Sequence, residues 1–180
     1  MQTEYEVKIL DIDVAEITKK MERIRAEKVA ERMMRRYVYD IKMNEDRKDC
    51  SKWIRLRDNG EKTTITLKEI HNDNIDGTRE IEIEVGDFEK AHQFIENIGF
   101  LHTAYQENRR VSYVFNDVEI EIDSWPMIPS YLEVEGKTAE DVERVVKLLG
   151  FEMSQTTTIG VRKVYQKYGI EIHNYKELKF

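Results

Sequence analysis

Apolar and charged positions alternate strictly in five separate stretches of the chain. In "EYEVKI" Tyr5, Val7 and Ile9 alternate with Glu4, Glu6 and Lys8, and in "IRLRD" Ile54 and Leu56 alternate with Arg55 and Arg57. "REIEIEV", Arg79 to Val85, sets Glu80, Glu82 and Glu84 against three apolar residues. "VEIEID" does the same with Glu119, Glu121 and Asp123, and "YLEVE" with Glu133 and Glu135. Successive side chains leave a strand on opposite faces, so each stretch predicts a strand with one apolar and one charged side.

The period changes to that of a helix elsewhere. Asp13 is placed to cap a helix reaching about Lys28, with Val14, Ile17, Met21 and Ile24 as its apolar stripe. Asp87 and Gly99 bracket a second helix, and Thr138 and Gly150 a third. Further strands are expected over Met33 to Lys42, Thr63 to Glu69 and Arg109 to Phe115, with loops over 43–52 and 71–78. Asn59-Gly60 and Asn116-Asp117 mark hairpin turns. The segment from Thr156 to Tyr168 is expected to be helical, and the residues after it carry no pattern. About eight strands joined mostly as hairpins, with three or four helices, predict an α+β fold and argue against a doubly wound parallel sheet. No GxGxxG or Walker-type loop is present, so the common nucleotide cradles are missing.

Composition sharpens one point. The chain has 180 residues, enough for one domain over 1–180, and 36% of them are charged against 40% hydrophobic. A half-solvated sheet face usually mixes signs with Ser and Thr, whereas these strands carry runs of one sign. If the sheet curls and closes, its apolar faces pack outward against the helices and its charged faces line an interior. Unpartnered charges there would cost several kcal/mol each, so they must meet one another or a ligand. The formal net charge of −7 opposes general nucleic-acid binding. One cysteine, Cys50, forms no disulfide framework, and no stretch is apolar enough to span a membrane. The expectation is a soluble, cytoplasmic protein, a monomer or homodimer, that engages neither nucleic acid nor membrane.

Lys8, Arg55, Arg57, Lys68 and Arg110 are cationic donors of the kind that hold a chain of phosphates. Glu4, Glu6, Glu133 and Glu135 are hard oxygen ligands suited to Mg²⁺ or Mn²⁺. Carboxylates repel polyphosphate directly but join its site through a divalent cation. Glu84 is expected as a solvated rim charge, and Glu119 and Glu121 either line the interior or pair with cations across the sheet. The histidines, His71, His92, His102 and His173, stand at no ligand spacing. Trp53, Trp125, Tyr39, Tyr113 and Tyr131 read as packing residues, with Trp125 near the mouth of the interior.

The Glu-x-Glu-x-Lys motif at Glu4 to Lys8 resembles the signature of the CYTH superfamily, the triphosphate tunnel metalloenzymes. Its companions follow in order: "YVYD" at Tyr37, Arg55-x-Arg57, Lys68, the acidic strand from Glu80, Arg110, Asp123 and Glu133-x-Glu135. The resemblance covers residues 1 to about 165 and implies an eight-stranded antiparallel closed β-barrel that binds a triphosphate with a divalent metal. It implies a metal site from Glu4, Glu6, Asp123, Glu133 and Glu135, and catalytic roles for Lys8, Lys68 and Glu82. Phosphate binding would fall to Lys8, Arg55, Arg57, Lys68 and Arg110, with Lys163 as a C-terminal basic residue. Many members carry a lysine where this chain has Asn108, and Arg109 points to the opposite face. The partner implied is a triphosphate-containing small molecule: tripolyphosphate, thiamine triphosphate or a nucleoside triphosphate. Hydrolysis is the expected reaction; the alternatives are class IV adenylyl cyclase chemistry, in which the ribose 3′-hydroxyl of ATP attacks, and polyphosphate binding without turnover. Cyclases of the family tend to carry a His-Phe pair before the first motif, and only Met1, Gln2 and Thr3 precede it here. The stretch from Arg110 to Gly136 nevertheless resembles proteins described as cyclase-like.

Overall fold

Each of the five alternating stretches forms a strand in the computed structural model of the chain, which describes residues 2–41, 51–72 and 74–180, the side chains of Gln2, Glu4 and Ser51 excepted. The strands are β1 (Gln2–Ile9), β2 (Glu27–Asp40), β3 (Ser51–Asp58), β4 (Thr63–Ile70), β5 (Thr78–Val85), β6 (Ala104–Phe115), β7 (Val118–Ser124) and β8 (Tyr131–Gly136), with a two-residue β9 (Glu177–Leu178) beside β6. The helices are α1 (Val14–Ile24), α2 (Phe88–Asn97), α3 (Ala139–Leu148) and α4 (Val161–Lys167). The fold is α+β, with an antiparallel eight-stranded sheet curled on itself.

The strand order is β2-β3-β4-β5-β1-β8-β7-β6, and β2 pairs with β6 as well. It bonds to β3 through Arg35–Asp40 and to β6 through Glu27–Val38, so the pairings return to the strand they started from. Both predicted hairpin turns form. Asn116 and Asp117 take the left-handed conformation that a tight two-residue hairpin requires, and Asn59 Oδ1 accepts from the backbone N–H of Glu61 and Lys62.

Apolar strand faces point outward beneath the helices. Ile17 and Met21 of α1 and Val142, Val145 and Val146 of α3 pack over Val7, Ile120, Ile122, Leu132 and Val134. Phe88, Ala91 and Ile95 of α2 cover Tyr39 and Leu56. Val164 and Tyr165 of α4, with Ile172 and Leu178, pack instead at one end of the charged face, against Trp125 and Tyr131, the latter directly opposite Asp123. Among the described residues no helix is long and apolar enough to cross a membrane.

Five expectations change. α1 stops at Ile24 because Arg25 adopts a left-handed conformation, φ 59°, and its N–H bonds back to Met21 and Glu22. β2 therefore begins at Glu27, and the strand expected from Met33 is longer at its start. β6 likewise begins at Ala104, five residues before the expected strand. The expected helix from Thr156 shrinks to Val161–Lys167, because Thr157 pairs with the backbone of Lys8 in extended form. The loop expected over 43–52 lies outside the described residues as far as Cys50, while Ser51 and Lys52 already belong to β3.

Candidate active site

Residues directly opposite in an antiparallel pair share a face, so the register identifies the lining of the curled sheet. Lys8 is opposite Glu133, which is opposite Glu121; Glu6 is opposite Glu135. Asp123 is opposite Arg110, Arg36 is opposite both Gln106 and Arg57, and Arg57 is opposite Thr64. Arg55 is opposite Thr66, which is opposite Glu82; Lys68 is opposite Glu80. Glu4 takes the register position opposite Thr78, its side chain lying outside the described part. One face thus gathers every predicted site residue except Lys163, which is exposed on α4 and stands outside this register.

The lining has two electrostatic halves. On β1, β7 and β8, carboxylates outnumber cations. Lys8 bonds to Glu6 and lies 3.3 Å from Glu133. Arg110 donates from Nε and Nη2 to Asp123 at 2.8 and 2.5 Å, reaches Glu133 at 3.2 Å and pairs with Glu121. Asp123 is fully buried and accepts from Asn108 Nδ2 at 2.8 Å as well. Burial pushes the Glu133 carboxyl up, but Lys8 and Arg110 outweigh it and hold the group at about 2. Glu121 goes the other way: burial, together with the charges of Glu133 and Asp123, pushes it up to about 7 against the pull of Arg110.

On β2, β3 and β4 the cations dominate. Arg55 Nη2 donates to Thr66 Oγ1 at 3.2 Å and lies 3.5 Å from Glu82, while Arg57 stands 3.7 Å from Glu82. Thr66 Oγ1 donates to Glu82 at 2.7 Å, so the exposed Glu82 braces the arginine pair. Lys68 lies 3.1 Å from Glu80. The charge of Arg55, then burial, then Arg110 pull Arg57 down to about 10.

Arg36 was not anticipated from sequence. It is 7% exposed, donates from Nη2 to Asn108 Oδ1 and stacks over the Trp125 ring with its guanidinium carbon 4.6 Å from the centroid. Among the described residues it makes no ion pair. Burial, then Arg55, Arg57 and Arg110, pull it down to about 9. The signal available was its two-residue spacing from Val38 and Met34 on a strand, which puts it on the face opposite Tyr37 and Tyr39. Trp125, expected near the mouth, is instead 4% exposed and wedged edge-on against Tyr165, 6.3 Å between centroids. Tyr165 donates to the Pro126 carbonyl at 2.7 Å, so α4 fixes the apolar base under Arg36. Arg109 is exposed and bonded to Glu31, away from the lining, as its position predicts. Glu84 and Glu119 are exposed.

Buried side-chain atoms without a hydrogen-bond partner include Arg36 Nε, Arg55 Nε, Thr64 Oγ1 and Trp125 Nε1. The first three belong to the cationic half, and the fourth lies beneath Arg36. Buried donors are almost always satisfied in native proteins, so a concentration of spare donors on one wall suits an anionic ligand.

A family model, the CYTH domain, matches residues 2–164. A search of curated proteins finds no match. Among solved structures the chain is similar to the PH1012 protein of Pyrococcus horikoshii, at 23% identity and a TM-score of 0.74 over 87% of this chain and 96% of that one. It is similar to a proposed adenylate cyclase from Vibrio parahaemolyticus, at 14% identity and a TM-score of 0.73 over 92% and 98%. A third is HpAC1 from Hippeastrum, a proposed adenylyl cyclase with a dominant triphosphatase activity, at 13% identity and a TM-score of 0.56 over 94% and 96%. At such identities the likeness establishes the shared fold.

Proposed function

We propose that this chain, which belongs to the CYTH family, is a metal-dependent phosphohydrolase that takes a triphosphate lengthwise into a closed tunnel made by its charged sheet face. The observation that carries this reading is a wall of cations, Arg36 buried and Arg55, Arg57 and Lys68 half-buried, with unpartnered donors at Arg36 Nε and Arg55 Nε, set opposite a wall rich in carboxylates. A linear polyphosphate needs several fixed cationic donors in a row, and Arg36, Arg55, Arg57 and Lys68 supply them. The HpAC1 protein, described by its dominant triphosphatase activity, supports the choice of hydrolysis over cyclisation.

The acidic wall fits a divalent cation by its chemistry. Glu6, Glu133 and Glu135, joined by Glu4 and Asp123, are hard oxygen donors, and beside them burial, then the charges of Glu133 and Asp123, push Glu121 up to about 7. Mg²⁺ or Mn²⁺ bound there would neutralise phosphate charge and activate the attacking group. Asp123, with Arg110 on both its oxygens, serves chiefly to hold that arginine across the wall. Lys8 and Arg110 bridge carboxylates in the free protein and turn toward phosphate oxygens when substrate adds its negative charge. Lys8 and Lys68, on adjoining parts of the lining, stabilise charge building on the reacting phosphoryl group. Glu82 keeps Arg55 and Arg57 aimed inward through Thr66. Lys163, on α4, contributes at the substrate's far end.

The test is product analysis with Mg²⁺ or Mn²⁺ on tripolyphosphate, thiamine triphosphate and ATP. Orthophosphate release supports the proposal. Cyclic AMP with pyrophosphate from ATP would replace it with the cyclase reading, and tight binding without any product would replace it with a polyphosphate-binding module.

A further inference from the structure

Three side chains converge outside the charged lining, on the far side of β2. His92 and Glu96 lie one turn apart on α2, and His102 lies in the segment joining α2 to β6. Sequence alone places the two histidines ten residues apart at no ligand spacing; the chain reversal after α2 brings them together. Gly99, at φ 104°, makes that reversal, and the backbone bonds Gly99 N to Glu96 O and Phe100 N to Ile95 O secure it. Thr103 N then bonds to the Val38 carbonyl at 2.7 Å, fixing the returning segment on β2.

The ligand atoms of His92, Glu96 and His102 all lie within 4.8 Å of one another. Glu96 Oε1 is 2.7 Å from His102 Nδ1, and Glu96 Oε2 is 3.6 Å from His92 Nε2. Donors around a tetrahedral zinc ion stand roughly 3.3 Å apart, given bonds of about 2.0–2.1 Å, so these separations bracket what is required. His92 is also oriented as a ligand would be. Its Nδ1 is 2.8 Å from the hydroxyl of the fully buried Tyr39, and Tyr37 stacks on its ring at 3.8 Å, almost parallel at 7°. With Nδ1 engaged, Nε2 is the nitrogen turned toward Glu96, the arrangement of an outer partner holding a metal-binding imidazole. His102 is also among the residues lining a cavity of about 420 Å³ with Tyr37, Tyr105 and Lys176, which leaves room for a further ligand.

We propose that His92, Glu96 and His102 form a second metal site, selective for Zn²⁺ and neighbouring transition ions, that fastens the end of α2 to the seam between β2 and β6. Two imidazoles and one carboxylate suit Zn²⁺, Co²⁺, Ni²⁺ or Cu²⁺, whereas Mg²⁺ prefers the oxygen-only set of the lining. The two sites therefore sort ions by donor chemistry.

The test uses the full chain, stripped by a chelator and then held in millimolar Mg²⁺ so that oxygen sites are filled. Co²⁺ is added and the visible d–d absorption of a low-coordinate ion is followed, with Zn²⁺ as competitor and a thermal melt in parallel. The expected result is one equivalent of Co²⁺ bound, displaced by Zn²⁺, with a rise in Tm. His102→Ala and Glu96→Gln abolish the band, Tyr39→Phe weakens binding about tenfold by freeing the imidazole, and Glu133→Gln leaves it unchanged. Absence of the band and of any Zn²⁺-dependent Tm rise in the unaltered chain overturns the site, as does a band that survives His102→Ala or disappears in Glu133→Gln.

Discussion

Replacing Arg36 by Met should make the free protein more stable and the ligand weaker. The guanidinium is 7% exposed, beside Arg55, Arg57 and Arg110, and among the described residues bonds to Asn108 but to no carboxylate. Pulling it from its ordinary value down to about 9 corresponds to about 5 kcal/mol against the charged form at about 1.4 kcal/mol per pH unit. The sign follows from the direction: a cation pulled down on folding costs stability at every pH where it stays charged in the fold, neutral pH included. Met removes that cost but also loses the hydrogen bond to Asn108, about 1–2 kcal/mol, and the stacking on Trp125, about 1–2 kcal/mol. A net gain of about 1–3 kcal/mol remains, a rise in Tm of roughly 2–12 °C for a domain of this length. Tripolyphosphate at one hundred times its Kd adds about 2.7 kcal/mol to the unaltered protein. Losing one charge-assisted bond of about 1.5–3 kcal/mol should cut that gain to roughly 0.3–1.3 kcal/mol at the same concentration. Thermal melts in chloride buffer, with and without tripolyphosphate and Mg²⁺, read both effects. A lower Tm for the free variant together with an undiminished ligand-induced rise would refute the reasoning, since Arg36 would then be an ordinary structural arginine.

Other substitutions probe the remaining parts. Glu133→Gln, on the acidic wall, should lower phosphate release from tripolyphosphate by about 10²-fold or more, and raising Mg²⁺ should restore only part of it; intact turnover would remove Glu133 from the metal site. Arg57→Ala should raise KM for tripolyphosphate at least about tenfold, from the loss of a charge-assisted hydrogen bond, with the deficit shrinking as salt rises. Tyr165→Phe leaves the Pro126 carbonyl without its 2.7 Å donor and should cost about 1–2 kcal/mol, read as a lower Tm. Glu31 is held at about 2 by hydrogen bonds from Arg109 and then Lys28 on the exposed β2–β6 seam. Its contribution is complete above the ordinary carboxylate range and is lost as pH falls through that range toward about 2. Glu31→Gln should therefore flatten the acid limb of a Tm–pH profile at low salt, and high salt should erase the difference.

The legible parts of the chain were those where alternation and a helix cap agree. β1, β3, β7 and β8 each carry an apolar face that packs and a charged face on the lining, β5 alternates as strictly although its outward Ile81 and Ile83 stay about half exposed, and Asp13, Asp87 and Thr138 accept from the backbone N–H groups they were expected to cap. The start of β2 was hidden because "RAEKVAERMM" has charged residues on both faces, and the stop at Arg25 needs a left-handed arginine where Gly or Asn would have announced it. β6 was cut short for a related reason. Gln106 and Asn108 are buried and polar while Glu107 and Arg109 lie on the opposite face, so the strand has no apolar side to read. The helix expected from Thr156 failed because a tertiary pairing with Lys8 outweighed local preference.

Asn108 ties these failures to the site. The family resemblance leads one to expect a lysine there, and within one strand no neighbour replaces it, since Arg109 faces away and is bonded to Glu31. In the fold, Asn108 lies between two strands and spans opposite charges: its carbonyl oxygen accepts from Arg36 on β2 and its amide donates to Asp123 on β7. A lysine at that position would place an ammonium against the Arg36 guanidinium; an amide can serve a cation and a carboxylate at once. On the proposed function, Arg36 on the adjoining strand would supply the cation expected on β6, with Asn108 orienting it. That exchange depends on the β2–β6 pairing, in which Met34 rather than Arg36 stands directly opposite Asn108. It makes a coupled expectation: restoring Lys at 108 should be tolerated in an Arg36→Met background and destabilising beside Arg36, an interaction energy of about 1–3 kcal/mol in a double-mutant cycle. Additive effects on Tm would show that the two positions do not share one charge.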